Sequence, residues 1–168
     1  NFDGPNDRTT TYKNGKPAVV EADKDFNGKP DVRAQYNEDG SKRLEEQDTG
    51  GNGRYDTAIY FEDDIKVRVQ EDTTGNGKKD VVTLFTDGVI QRKESDTGAN
   101  GQFDRVARYD GGVETTKTED KNGDGKPERV IHLAANGNKG REEIDTSGKG
   151  RPNLVRIYAR GKLVREEE

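Results

Sequence analysis

Short runs of apolar residues recur along this chain and are separated by polar segments rich in glycine. Two examples are 81–85 (VVTLF) and 154–158 (LVRIY), whose β-branched and aromatic composition is typical of strands. Each run ends on one large side chain, and these side chains form a column of Tyr12, Tyr36, Phe61, Phe85, Tyr109, Leu133 and Tyr158. The pattern predicts one strand per run, with the bulky column on a common face.

A turn signal follows most of these runs, and a second, more polar segment comes after it. The turn dipeptides are Asn14-Gly15, Asp39-Gly40, Asp87-Gly88, Gly111-Gly112 and Asn136-Gly137, which accept the positive φ of a tight hairpin. In one returning segment, 65–70, Ile65, Val67 and Val69 alternate with Lys66 and Arg68, as on a half-buried strand. We therefore expect each run and its returning segment to form a β-hairpin.

The hairpins repeat at a nearly constant interval. The aspartates that open the polar segments are Asp23, Asp48, Asp72, Asp96, Asp120 and Asp145, spaced by 25, 24, 24, 24 and 25 residues. A glycine stands five places after each of them. The chain is therefore interpreted as one tandem array over 1–168, with a truncated repeat at 1–22 and full repeats at 23–47, 48–71, 72–95, 96–119, 120–144 and 145–168.

The expected fold class is all-β, with tandem hairpins of 24–25 residues forming an open, elongated, twisted antiparallel meander. With about 4.8 Å between strands, about fourteen strands extend over about 65 Å. A closed ring or propeller-like arrangement is the alternative. The bulky column is interpreted as packing between repeats, and a platform for stacking carbohydrate is the other interpretation.

Composition narrows the possible functions. Only 26% of the residues are hydrophobic, and 34 acidic against 29 basic side chains leave a net charge of −5. We expect no membrane span, because no apolar run approaches about 18 residues, and no nucleic-acid binding, because no basic cluster is present. Met is absent even at position 1, so we expect that a leader was removed or that the segment comes from a longer protein.

The polar segments of the first and fifth full repeats have the spacing of a calcium loop. They read DKDFNGKPD and DKNGDGKPE, which puts oxygen ligands at places 1, 3, 5, 7 and 9 and a glycine at place 6. The expected ligands are Asp23, Asp25, Asn27, Lys29 and Asp31 in the first segment and Asp120, Asn122, Asp124, Lys126 and Glu128 in the fifth, with both lysines binding through the backbone carbonyl. Metal-free Asx turns are the other interpretation.

The remaining polar segments have fewer oxygen ligands. Place 3 holds Gly50, Thr74 or Gly98 in the three middle repeats, so we expect weaker binding or ordinary turns there. Their candidate ligands are Asp48, Asn52, Asp56, Asp72, Asn76, Asp80, Asp96, Asn100 and Asp104. In the last repeat Lys149 stands at place 5 and Asn153 at place 9, so we expect no metal. The truncated repeat keeps Asp3 and Asp7 and lacks a ligand at place 1.

The two acid-rich segments resemble the calcium loops that link strands in FG-GAP propeller repeats and those of thrombospondin type 3 repeats. Place 12 holds Ala34 and Ile131 where a helix-loop-helix hand has glutamate, so the resemblance is limited to about nine residues per repeat. It implies calcium that stiffens surface loops of an exported protein. The series of polar hairpins looks similar to bacterial surface lipoproteins with a single-layer sheet. We expect an extracytoplasmic location: periplasm, outer surface or secreted.

We expect no enzymatic activity. The single histidine, His132, occupies a strand position that other repeats fill with Gln35, Tyr60, Leu84, Arg108 and Ile157, so it is interpreted as a variant of a structural column. Two functions are compatible with the sequence. One is a calcium-stiffened structural or adhesive repeat protein that presents a long surface to a protein or polysaccharide partner. The other is a metal-free accessory subunit of a larger envelope or surface assembly, docking through a sheet edge or face.

Overall fold

The chain is all-β in the computed structural model, which describes residues 7–168. Fourteen strands occur in this range, and no helix does. The strands are β1 (Arg8–Lys13), β2 (Lys16–Ala22), β3 (Val32–Tyr36), β4 (Lys42–Gln47), β5 (Thr57–Glu62), β6 (Ile65–Glu71), β7 (Val81–Thr86), β8 (Val89–Ser95), β9 (Arg105–Asp110), β10 (Val113–Glu119), β11 (Arg129–Leu133), β12 (Lys139–Ile144), β13 (Leu154–Ala159) and β14 (Lys162–Glu167). The strand order is the sequence order, from β1 to β14, without closure. The prediction of an open hairpin meander is confirmed, and the closed ring is wrong.

The chain divides into two compact units, Asn1–Gly88 and Val89–Glu168. Strands β1–β7 pair antiparallel in succession within the first compact unit. Strands β8–β14 do the same within the second. The boundary between the two units lies between β7 and β8, the two strands of the repeat at 72–95. That residues 1–168 form one tandem array stays a prediction.

The hairpin turns explain the two repeat lengths. Between the paired residues Phe61 and Lys66 lies the turn 62–65, whereas the longer turn 37–41 lies between Tyr36 and Lys42. In this longer turn the N–H of residue 37 donates to the carbonyl of residue 41 at 2.9 Å, and the turn at 134–138 repeats that bond. Each 25-residue repeat therefore places its extra residue at the hairpin turn.

A β-bulge follows the turn in six hairpins. In the hairpin of β5 and β6, Phe61 pairs with Lys66 while Tyr60 pairs with Arg68, so Val67 is the extra residue. Cross-strand partners share a face of the sheet. The bulge therefore places Lys66 on the face of Phe61 and Val69, and the simple alternation expected for 65–70 is wrong on the turn side of Val67.

Lysine side chains connect the bulky column from one repeat to the next. The Lys42 ammonium lies 5.2 Å from the centre of the Phe61 ring, and that of Lys66 lies 4.1 Å from the Phe85 ring. In the second compact unit, the Lys139 ammonium lies 4.8 Å from the Tyr158 ring. Each lysine belongs to the hairpin that precedes the ring it covers. Such contacts contribute about 0.5–1 kcal/mol each at exposed sites.

Few apolar side chains are fully buried, because each compact unit contains one sheet whose faces are covered by its own long side chains. The buried apolar residues in the described range are Ala34, Ala58, Val81, Val82 and Ile131. Small residues can be covered by the aliphatic stems of neighbouring lysine, arginine and glutamate side chains, whose charged ends stay in water. The fold therefore relies on charged neighbours as much as on an apolar core.

Among residues 7–168, Glu142 is the most buried large side chain, with 1% of its surface exposed. Its Oε1 accepts hydrogen bonds from Arg129 and, at 3.2 Å, from Lys139, while its Oε2 accepts one from the Tyr158 hydroxyl at 2.6 Å. Burial alone raises the pKa of this carboxyl, but the three donors outweigh burial and lower the pKa below its ordinary value. The group is therefore a charged centre that joins β11, β12 and β13.

We expect Glu142→Ala to lower the free energy of unfolding by about 2–3 kcal/mol, because it leaves charged donors without their acceptor. Glu166→Ala is the matched control, since Glu166 pairs with Arg156 at a partly exposed position, and we expect a loss of about 0–1 kcal/mol. Denaturant unfolding measures both variants. Equal losses in the two variants contradict the central role of Glu142.

Candidate cation-binding loops

Six described loops connect one hairpin to the next. We number them in chain order: loop 1 (23–31), loop 2 (48–56), loop 3 (72–80), loop 4 (96–104), loop 5 (120–128) and loop 6 (145–153). Places 1 to 9 count along each loop from its first aspartate. The predicted Asp3 lies outside the described residues. Asp7 lies within them, and its carbonyl accepts the backbone N–H of Asp23 at 2.8 Å.

All six loops share one hydrogen-bonded frame. The carboxylate at place 1 accepts the N–H of the glycine at place 6 at 2.5–2.9 Å. The side chain at place 9 accepts the N–H of place 2 at 2.5–3.0 Å. Because loop 6 has the same frame, although it has lysine at place 5, the frame itself requires no metal.

The backbone of each loop passes twice through the left-handed region. In loop 1 these residues are Phe26, with φ of 64°, and Gly28, with φ of 86°. A side chain at the second of these places is strained, whereas glycine adopts positive φ without penalty. The tight turn directs the N–H groups of Phe26 and Gly28 at the Asp23 carboxylate, at 2.8 Å each.

Hydrogen bonds within the loops lower the pKa of some carboxyl groups, among them Asp72 and Asp145. The Ser147 hydroxyl makes the largest contribution at Asp145 and, together with N–H donors from Gly150, Ser147 and Arg151, lowers the pKa of this carboxyl from 3.8 to about 2. In loop 3, burial raises the pKa of Asp72, but N–H donors from Gly77, Gly75 and Asn76 outweigh it and lower the pKa. Both groups are therefore ionised at neutral pH.

Two of the loops gather three carboxylates each, as the sequence predicted. Asp23, Asp25 and Asp31 in loop 1 bring carboxylate oxygens within 4.8 Å of one another, and so do Asp120, Asp124 and Glu128 in loop 5. Two oxygens that bind one calcium ion at about 2.4 Å can be at most about 4.8 Å apart. Among residues 7–168 no other such cluster of acidic or histidine groups occurs. Each of these two clusters could hold a metal ion.

The predicted asparagine and backbone carbonyl ligands are not part of the two carboxylate clusters. The Asn27 side chain donates to Asp25 Oδ2 at 2.8 Å and accepts the N–H of Lys29 at 2.9 Å. Asn122 Oδ1 accepts the N–H of Asp124 at 2.8 Å. These amides lie beside the carboxylates and close the turn. The backbone carbonyls of Lys29 and Lys126 as ligands stay a prediction.

Loops 2, 3 and 4 keep only the two carboxylates of the frame. In loop 2, Asp48 and Asp56 hold the backbone, and Asn52 Oδ1 accepts the N–H of Arg54 at 2.9 Å. The same bonds recur with Asp72, Asn76 and Asp80 in loop 3 and with Asp96, Asn100 and Asp104 in loop 4. The structure therefore gives every one of these candidate ligands a hydrogen bond within its loop.

A threonine at place 2, which the sequence interpretation missed, separates the two kinds of loop. Its hydroxyl donates to the carboxylate at place 9 in loops 2, 3 and 4, from Thr49, Thr73 and Thr97 at 2.8, 2.9 and 2.6 Å. In loop 6 the hydroxyl of Thr146 contacts the side-chain oxygen of Asn153 at 3.2 Å. Loops 1 and 5 have Lys24 and Lys121 at this place. The alignment of the repeats contains this signal.

Without that hydroxyl, the acid of loop 5 retains a free acceptor. Glu128 Oε2 accepts the N–H of Lys121 at 2.7 Å. Its Oε1 is buried and has no hydrogen-bond partner in the described part of the chain. A buried acceptor without a donor is uncommon and calls for an explanation such as an ion or a water molecule.

Three of the side chains at place 7, Lys29, Gln102 and Lys126, pack on the loop that follows. Lys29 lies against Gly53 of loop 2, where an added Cβ comes within 2.6 Å of Lys29 Cδ, and Lys126 lies against Gly150 of loop 6 in the same way. Loop 5 receives the neutral Gln102, which lies against Gly123. The loops of one compact unit are therefore in contact in series.

The chain has the features of an all-β tandem hairpin repeat with two acid-rich loops. No family model matches it, and no curated protein matches it. Among solved structures, a crystal structure of a mutant of S. aureus TarM in complex with Fondaparinux, alpha-GlcNAc-glycerol and UDP aligns with 11% identity and a TM-score of 0.27. The alignment covers 68% of this chain and 18% of that chain. No helix within residues 7–168 is long and apolar enough to cross a membrane.

The low pKa of Asp145 predicts a loss of stability in acid. Because the pKa is depressed in the folded chain, the contribution is complete above 3.8 and disappears as the pH falls to about 2. We expect the difference in unfolding free energy between the native chain and Asp145→Asn to shrink across this window. Urea unfolding from pH 2 to pH 6 measures it, with Ser147→Ala giving part of the same effect. A difference that is constant over this range contradicts the assignment.

The threonine at place 2 is expected to stabilise its loop without any metal. Thr73→Val removes the hydroxyl that donates to Asp80 and lowers the free energy of unfolding by about 1 kcal/mol. Thr73→Ser keeps the hydroxyl and serves as the control. Chemical unfolding is measured in calcium and in chelator, and we expect Thr73→Val to lower the free energy of unfolding by the same amount under the two conditions. A loss that appears only with calcium shows that loop 3 binds the metal.

Proposed function

We propose that this chain is a non-enzymatic, extracytoplasmic repeat protein that is stiffened by calcium in loops 1 and 5 and presents its sheet faces to a protein or polysaccharide partner. The observation that carries the proposal is that the six described loops are of two kinds. Four loops close place 9 with a threonine hydroxyl, whereas the two loops with three clustered carboxylates lack this donor.

Electrostatics support a cation in these two loops. Three carboxylates within 4.8 Å of one another repel each other, and Asp25 and Asp124 are not needed for the frame that the other loops build without them. A bound cation replaces the repulsion with attraction. It also supplies the positive charge that the unpartnered Glu128 Oε1 does not receive from a donor.

Calcium fits the donor set better than magnesium. The ligands are oxygens from short side chains on a flexible turn, and calcium accepts six to eight oxygens in irregular geometry. Magnesium demands near-ideal octahedral geometry and retains several water molecules. We expect dissociation constants of about 0.1–1 mM, the range of extracellular modules. Sites of this affinity fill where calcium is abundant, as it is outside the cytoplasm, and this expectation agrees with the proposed extracytoplasmic location.

The surroundings of His132 support a structural role for that residue. Its Nε2 lies 3.3 Å from Glu143 Oε1, which also accepts from Arg141 Nε at 3.0 Å. The imidazole therefore lies in a row of polar and charged side chains on a partly exposed sheet face, between β11 and β12. Neither partner is a nucleophile that the histidine would activate.

The second candidate function is a metal-free accessory subunit of an envelope or surface assembly. It is favoured by the frame, which all six loops complete with their own hydrogen bonds. In this function a partner docks on a sheet edge or face, and exposed strand edges are templates for strand addition. This function predicts that calcium leaves the chain unchanged.

Calcium binding and melting distinguish the two functions. Elemental analysis after equilibrium dialysis is expected to show two calcium ions per chain. With about 10 mM calcium and dissociation constants of about 0.1–1 mM, each site adds about 1.4–2.7 kcal/mol to the free energy of unfolding. The melting temperature therefore rises with calcium and falls in chelator.

Variants assign the two ions to their loops. Asp25→Gly copies place 3 of loop 2, and Asp124→Asn copies place 5 of the middle loops, so both keep the frame while each removes one ion. Asp110→Asn changes an acid in a strand and keeps both ions. If the native chain binds no calcium and its melting temperature is the same in calcium and in chelator, the calcium proposal is wrong and the metal-free accessory subunit is favoured.

A further inference from the structure

A hollow lies over Ala107 on one face of the second compact unit. Ala107 pairs with Lys93 on β8 and with Lys117 on β10, so two lysines flank one small residue. Two other repeats place Ile59 and Ile131 at the equivalent position. We call this site the Lys93–Lys117 hollow. Its lining also includes Arg105, Tyr109, Glu114 and Glu119, so three cationic side chains face two carboxylates, and its volume is about 410 Å³, which is within the range of small-ligand sites.

The charges around the hollow are not balanced. Lys117 pairs with Glu114 at 3.3 Å, and Arg105 pairs with Glu119 at 3.2 Å. Lys93 makes no ion pair with any residue in the described range. Like charges that border one site repel each other and reduce stability. Two ammonium groups on either side of a hollow, one without a carboxylate, are complementary to an anion.

Tyr109 adds an aromatic surface and a hydrogen-bond donor at one end of the hollow. Burial, and then the charge of Glu114, raise the pKa of its hydroxyl above the ordinary value. The hydroxyl is therefore protonated at neutral pH and can donate. A half-buried ring beside two ammonium groups provides an apolar surface and charged donors together. A sugar that carries a carboxylate has the matching surfaces, because its ring has apolar C–H groups and its acid group is anionic.

We propose that the Lys93–Lys117 hollow binds the uronate residues of an acidic polysaccharide, with the carboxylate between the two lysines and the sugar ring against Tyr109. This inference rests on the proposed function, because it names the class of polysaccharide that the proposed function leaves open. It does not involve the calcium loops. The open position on a sheet face allows a polymer to continue past the hollow in both directions.

The test is calorimetric titration of the full chain with a trimer of galacturonate at low salt and in the presence of chelator. Chelator keeps calcium out of both the protein and the sugar, so failure of the calcium proposal does not affect the result. The native chain binds the trimer, and the methyl ester of the trimer, which has no charge, does not bind. Lys93→Gln weakens binding about tenfold, because one charge-assisted hydrogen bond is lost.

Two further variants keep the test independent of folding. Ala107→Ile fills the hollow with the residue of two other repeats and removes binding, while its circular dichroism stays native. Lys162→Gln makes the same charge change on β14 and leaves binding unchanged. Inorganic phosphate and a glutamate peptide are titrated in parallel. The assignment is overturned if either binds as tightly as the sugar, if the native chain does not bind the sugar, or if Ala107→Ile binds normally.

Discussion

The hydrogen bond from the glycine N–H at place 6 to the carboxylate at place 1 is the constraint on which the repeat depends. It recurs in all six described loops and turns a glycine-rich segment into a rigid connection. The bond from place 2 to place 9 closes the other side of the loop. The loop therefore fixes the register between successive hairpins, even though only 26% of the residues are hydrophobic.

Charged side chains take over functions that an apolar core has in other folds. Lysine ammonium groups lie over the rings of the next hairpin, and the buried Glu142 accepts hydrogen bonds from three donors. Such contacts are strong where the donors converge and weak where they are exposed. They also leave both faces of the sheet rich in charge, and the Lys93–Lys117 hollow is a place where that charge is not balanced.

Much of the architecture could be predicted from residue spacing. The strands followed from apolar runs, and the clusters around Asp25 and Asp124 followed from the place-by-place comparison of the loops. The turn at Asp63 and Asp64 was missed because aspartate adopts positive φ less often than glycine. The bulge at Val67 could not be read from alternation, because one extra residue leaves the pattern of polar and apolar letters intact. The role of Thr73 required side-chain geometry.

Contacts made by Lys29, Lys79, Gln102 and Lys126 couple successive loops within each compact unit. Lys29 leans on Gly53, and Lys126 leans on Gly150, while the frame of each loop is built from its own residues. A displacement of Lys29 is therefore passed to loop 2 on its carboxyl side, and Lys79 of loop 3, which donates to the carbonyl of Tyr55 at 3.1 Å, couples loop 3 back to loop 2. Within each compact unit, the ordering of one loop therefore restricts the movement of the loop beside it.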